Sequence, residues 1–172
     1  MSSYYRATLT PLLVAENPGP KRYDYSGDPE RQKLEEFLES KRPPESFSRF
    51  RSWFACDTPS NSARYLEAEL RLNAAMIGDA KLYAIEFETF SRQPMILVNA
   101  IRNSVAIDDI TTAEMLAREY WKSTTDWKFW EYTAPEIRVV EEVRWPDNMQ
   151  LSIALMTYQG DDKRLTQMLG ER

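Results

Sequence analysis

The chain has no histidine and one cysteine, Cys56, so neither a disulfide nor a thiolate or imidazole zinc site can hold it together. Whatever it folds into has to be held by a packed apolar core. About two-fifths of its 172 residues are apolar, with five Trp, nine Tyr and seven Phe among them, which suffices for one globular domain spanning 1–172. The same absence restricts the chemistry. Without histidine there is no Ser-His or Cys-His nucleophile system and no imidazole proton shuttle, so catalysis would have to run on carboxylates, arginines and hydroxyls, with no metal.

A formal charge of −5 argues against general nucleic-acid binding, which needs a basic face to neutralise phosphates. The chain begins Met1-Ser-Ser-Tyr-Tyr-Arg6, without a signal-peptide core, and no later run has the length of a membrane span. A cytoplasmic location, in its own cell or a host, is the expectation, with no membrane partner.

Tyr4 to Leu13 reads as a first strand and Glu16 to Asp28, with two Pro and two Gly, as loop. Asp28-Pro29 opens a helix with a cap and a proline at its first position, with Leu34, Phe37 and Leu38 as its apolar stripe. Trp53 to Cys56 reads as a short strand. Thr58-Pro59 opens a helix with Ala63, Leu66, Leu70 and Ala74 on one face, ending at Gly78. Lys81 to Phe90 alternates as a strand, and the continuous apolar run Pro94 to Ala100 reads as a buried one. Thr111-Thr-Ala-Glu114 has capping-box spacing and predicts a helix over 112–122, followed by a polar loop carrying Trp127. Phe129 to Thr133, Ile137 to Trp145 and Leu151 to Tyr158 read as three closing strands, and the mixed order favours an α+β fold.

The segment Phe129-Trp-Glu-Tyr-Thr-Ala-Pro-Glu-Ile-Arg-Val-Val-Glu-Glu-Val143 sets a lone carboxylate, Glu131, at the start of a strand, before a proline turn and a second strand. It resembles the closing segment of the mono-ADP-ribosyltransferases. Tyr5-Arg6-Ala7 is similar to the first-strand arginine of their Arg-Ser-Glu subgroup. Phe54-Ala-Cys-Asp-Thr-Pro-Ser-Asn-Ser-Ala63-Arg-Tyr65 is similar to their middle motif, with Ala55-Cys56-Asp57 where Ser-Thr-Ser is usual.

The resemblance implies two small packed β-sheets with flanking helices and NAD as the substrate. Glu131 would be catalytic, Arg6, Thr58, Ser60 and Tyr65 would hold the cofactor, and Trp127 and Trp130 would contact the target. It further implies a protein or nucleic-acid acceptor of ADP-ribose, and the role of an effector, toxin or phage-encoded modifier. Phe129, where arginine-modifying members carry Glu or Gln, points to an acceptor other than arginine. A carboxylate beside the breaking nicotinamide–ribose bond stabilises the positive charge that develops there, and an arginine holds phosphate through charged hydrogen bonds.

Two other readings stay open: a non-catalytic acidic protein that inhibits a partner by surface complementarity, and an NAD glycohydrolase with water as acceptor. Simpler roles exist for each residue. Glu131 can pair with Arg138, Arg6 with a carboxylate of a neighbouring strand, Glu86 and Glu88 form a solvated face, and Cys56 is a small buried hydrophobe. Lys41-Arg42, Arg49 and Arg51 read as a solvated basic stretch.

Overall fold

A computed structural model describes residues 3–70 and 79–170. Among these residues the fold is α+β, with five helices and two three-stranded antiparallel sheets. The first sheet joins β1 (Tyr4–Thr8), β3 (Lys81–Glu86) and β6 (Arg138–Val143) in the order β1-β3-β6; the second joins β2 (Trp53–Ala55), β5 (Trp130–Ala134) and β4 (Ser91–Pro94) in the order β2-β5-β4. The sheets touch edge to edge at one residue pair, where Tyr5 and Cys56 exchange backbone hydrogen bonds of 2.8 and 2.9 Å.

Alternation along the strands divides the core. Trp53, Ala55, Tyr132 and Ala134 of the second sheet pack with Tyr83, Ile85 and Val139 of the first. The opposite face of β5 carries Glu131 and Thr133, both fully buried. A second cluster joins three helices, α1 (Pro29–Ser40), α3 (Ile96–Ala106) and α4 (Ile110–Lys122), through Leu34, Leu38, Leu97, Ile101, Leu116 and Tyr120. Helix α2 (Pro59–Leu70) lies on the first sheet, where Leu66 meets Ala7 and Leu82 and the Ser62 hydroxyl accepts from Ala7 N at 2.7 Å. Ala74 and Gly78, expected to extend and end α2, lie outside the described residues, as does the side chain of Leu70.

Helix α1 starts as expected, with the Asp28 carboxylate accepting from Arg31 N and Pro29 at the first position. Two predicted strands are helices. Of the run Pro94 to Ala100, Pro94 ends β4 and Ile96 to Ala100 lie in α3, because a helix wrapped by α1 and α4 is apolar on most sides, and continuous hydrophobicity alone does not separate it from a buried strand. Leu151 to Tyr158 lies in α5 (Asn148–Gly170). Its start is a reciprocal cap: Asp147 Oδ1 accepts from Gln150 N at 2.9 Å and Gln150 Oε1 accepts from Asp147 N at 3.0 Å. Helix α4 begins two residues before the expected 112 and is capped by Asp109, which accepts from Thr112 N, rather than by the Thr111 box. Two strands of the first sheet are shorter than expected: β1 stops at Thr8 ahead of Pro11, and β3 stops at Glu86. No helix among the described residues is long and apolar enough to cross a membrane.

Candidate functional site

Where the two sheets part, β1, β2, the loop before α1 and the first turns of α1 and α2 leave a cleft of about 580 Å³. Arg6 comes from β1, Phe54 from β2, Tyr65 from α2, Arg31 from α1 and Arg102 from α3. Lys21, Tyr23 and Tyr25 come from the loop, which runs extended here and half-buries every second residue, 21, 23 and 25, while 22 and 24 face solvent. Tyr23 N holds this run to Phe50 O at 3.0 Å. The two tyrosine rings lie parallel, 3° apart in plane and 5.7 Å between centroids.

Charge is unbalanced along this wall. Arg6 Nη1 donates to Phe54 O at 2.8 Å and its guanidinium lies 5.1 Å from the Trp53 ring, which Lys21 Nζ also approaches at 5.2 Å. Among the described residues, no carboxylate pairs with Arg6, Lys21 or Arg102, and the buried Nε atoms of Arg6 and Arg102 have no hydrogen-bond partner. Burial, with the Arg6 charge adding to it, pulls the Lys21 ammonium below its ordinary pKa. Asp28 and Glu30 also line the cleft, Asp28 already engaged in capping α1.

Behind Phe54 the charges are matched. Arg49, in a single 3-10 turn (Arg49–Arg51), is fully buried with its guanidinium 4.7 Å from the Phe54 ring. Its Nε donates to Glu35 Oε2 at 2.6 Å and its Nη2 to Glu35 Oε1 at 3.1 Å, while Nη1 donates to Glu131 Oε1 and to the Tyr120 hydroxyl. The Tyr120 hydroxyl donates to Glu131 as well. Arg31 Nε closes the other end on Glu35 Oε1 at 2.7 Å. Burial alone would push the Glu35 carboxyl up, but Arg49 and Arg31 outweigh it and hold it below its ordinary value. Burial, with Glu131 beside it, holds the Tyr120 phenol well above its usual range. Two cations and two carboxylates thus alternate from the cleft floor to β5: Arg31, Glu35, Arg49, Glu131.

No protein-family model matches the chain, and no curated protein matches it.

Of the residues expected to hold a cofactor, Arg6 and Tyr65 line the cleft. Thr58 and Ser60 do not. The Thr58 hydroxyl caps α2 by accepting from Asn61 N at 3.0 Å, and it is Ser62, two residues beyond Ser60, that ties this helix to β1. Glu131 is fully buried and lies off the cleft wall, on the face of β5 that meets Arg49 and Tyr120. Its simpler expected partner, Arg138, pairs instead with Glu86 at 2.6 Å.

Trp127, expected at a target surface, is a core residue at 1% exposure, its indole N–H shared between Glu119 and Ser123. An indole enclosed in this way has no face to offer a partner. Trp130 is half-buried under the Arg92 guanidinium, 4.6 Å from its ring. The backbone entering β5 is fixed by buried Asp161 of α5, which accepts from Lys128 N and Phe129 N.

Sequence reasoning missed Lys21, Tyr23, Tyr25, Arg31 and Arg102 in the cleft, and Glu35 and Tyr120 behind it. The alternation of Lys21, Tyr23 and Tyr25 inside a Pro- and Gly-rich loop was a readable signal. The expected solvation of Arg49 is overturned, because the 3-10 turn aims it inward while Arg51 stays exposed. Cys56 is fully buried, and burial with Asp57 and Glu131 nearby pushes its thiol well above the ordinary value, so it is a poor nucleophile.

Proposed function

We propose that the cleft binds a dinucleotide of the NAD type and that the chain transfers the ADP-ribose of NAD to a macromolecular acceptor. One observation carries the reading: Arg6, Lys21 and Arg102 converge, with no carboxylate partner among the described residues, on a cleft that also presents Tyr23, Tyr25, Phe54 and Tyr65. Unpaired cations suit a diphosphate and aromatic faces suit a base, and about 580 Å³ falls within the range of small-molecule sites. The resemblance of Arg6 and Glu131 to the Arg and Glu of the ADP-ribosyltransferases supplies the reaction.

In that reaction the bond between ribose C1′ and the nicotinamide nitrogen breaks, and its electron pair leaves with nicotinamide, neutralising the pyridinium. An acceptor lone pair then forms the new bond to C1′ and the acceptor's proton passes to solvent. Glu131 would stabilise the positive charge at C1′. The reading requires Arg49 to release Glu131 and keep Glu35, because Glu131 is fully buried and lies off the cleft wall.

NAD that binds only the folded protein raises its melting temperature. The transferase reading expects that rise, release of nicotinamide, transfer of label from NAD to an acceptor, and loss of release by orders of magnitude in folded Glu131→Gln. The burial of Glu131 favours a second reading, a nucleotide-binding protein without turnover, for which NAD or ADP shifts the melting temperature and no nicotinamide appears. Release without label transfer identifies a glycohydrolase. No response to NAD, ADP or AMP removes both the transferase and the binding reading.

A further inference from the structure

Helix α5 buries Ala154, Asp161 and Leu165 and turns a different kind of face outward. Met149, Ile153 and Met156 are 70%, 58% and 70% exposed, and at 3.6 residues per turn they share an arc of about 60° with Gly160, whose Cβ position opens on empty space. No residue from 148 to 160 carries a charge, in a chain where 28% of residues do. The hydroxyls flanking the stripe are already satisfied: Ser152 donates to Asn148 O at 2.8 Å and Thr157 to Ile153 O at 3.0 Å. Both therefore cost little to desolvate.

We infer that this face is a self-association surface, occupied by the same face of a second copy in antiparallel orientation. The stripe is its own complement. A two-fold axis between Ile153 and Met156 sets Met149 of each copy on Gly160 of the other and each Ile153 on the other's Met156, so the largest side chain meets the position with none. Lys163, one turn beyond Gly160 and about 20° off the edge of this arc, is carried to the start of the partner helix, within reach of the opposite charge of the cap residue Asp147. Elsewhere two copies at −5 repel, whereas over these helical turns there is nothing to repel. One helix face is small against the roughly 800 Å² per partner of a standard interface, so the dimer is weak and reversible.

The test is the mass of the full chain by sedimentation velocity across a concentration series. The inference expects mass to rise from monomer towards dimer, and expects Ile153→Glu with Met156→Glu to stay monomeric with an unchanged circular dichroism spectrum. Both side chains are exposed, so the change leaves the core intact. A wild-type chain that stays monomeric throughout, or a double variant that dimerises as readily, overturns it. The register is read by mixing Ile153→Cys chains with Met156→Cys chains under mild oxidation, Cys56 being buried and silent. Cross-linking should be faster in the mixture than in either variant alone; equal or slower cross-linking overturns the antiparallel pairing.

Discussion

Phe54 separates two charged regions built from similar residues. On its solvent side Arg6, Lys21 and Arg102 are partly exposed and no carboxylate among the described residues answers them; on its inner side Arg31, Glu35, Arg49 and Glu131 alternate in sign and are almost entirely enclosed. The difference follows from the cost of burial. A charge removed from water costs several kcal/mol unless a counter-charge is built beside it, so the inner row needs its partners in order to fold. Charges on the cleft wall keep enough water to remain unpaired, and their shared field is available to an anion that arrives later. Pairing marks the part that holds the fold; the cations left without a carboxylate mark the wall proposed to bind.

Removing Arg49 should have the largest effect. Arg49→Met leaves two buried carboxylates facing each other and should lower unfolding free energy by about 3–5 kcal/mol in denaturant titrations. A loss below about 1 kcal/mol would break the distinction between the two regions.

Arg6→Ala should act the other way round. It should weaken NAD binding by roughly ten- to hundredfold, the value of a charged hydrogen bond, as read by calorimetry or by disappearance of the NAD-induced melting shift. Its stability loss should be well below that of Arg49→Met; an equal loss would make Arg6 structural too.

Acid should find the inner row first. Glu35 has a folded-state pKa held below the ordinary 4.5, so its contribution is complete above that value and is lost as pH falls through the depressed one. The melting temperature should drop on acidification below about pH 4.5, and Glu35→Gln should flatten that limb while lowering the plateau. A wild-type acid limb retained in the variant would mean that other carboxylates carry it.

Lys21→Gln should have the smallest effect on stability, within about 0.5 kcal/mol, because the ammonium is partly exposed and beside a like charge. Its effect should appear in binding. With Lys21 present, affinity for an anion should fall as pH rises through its lowered pKa, and the variant should bind more weakly without that dependence.

Local signals were enough for α1, where Asp28, Pro29 and the Leu34–Leu38 spacing act within one helix, and for β5 and β6, which Pro135 and Pro146 punctuate. They failed for α3 and α5. An apolar run such as Met95 to Ala100 suits any buried element, and only the packing of α1 and α4 around it selects a helix. For α5 the cap was legible in Asp147 and Gln150, but the stretch Leu151 to Tyr158 after it suits a strand as well as a helix.

The same division runs through the candidate site. By itself the sequence determined the α+β class, the lack of an internal disulfide, and the arginine of the first strand, because composition, caps and strand periodicity act over a few residues. Which charges are matched was decided only by the tertiary structure. Glu35, Arg49, Tyr120 and Glu131 are spread over almost 100 positions, and nothing local to any of them tells whether it will meet a counter-charge, a ring or water. Pairing acts through space, and the sheets and helices must assemble before the partners exist.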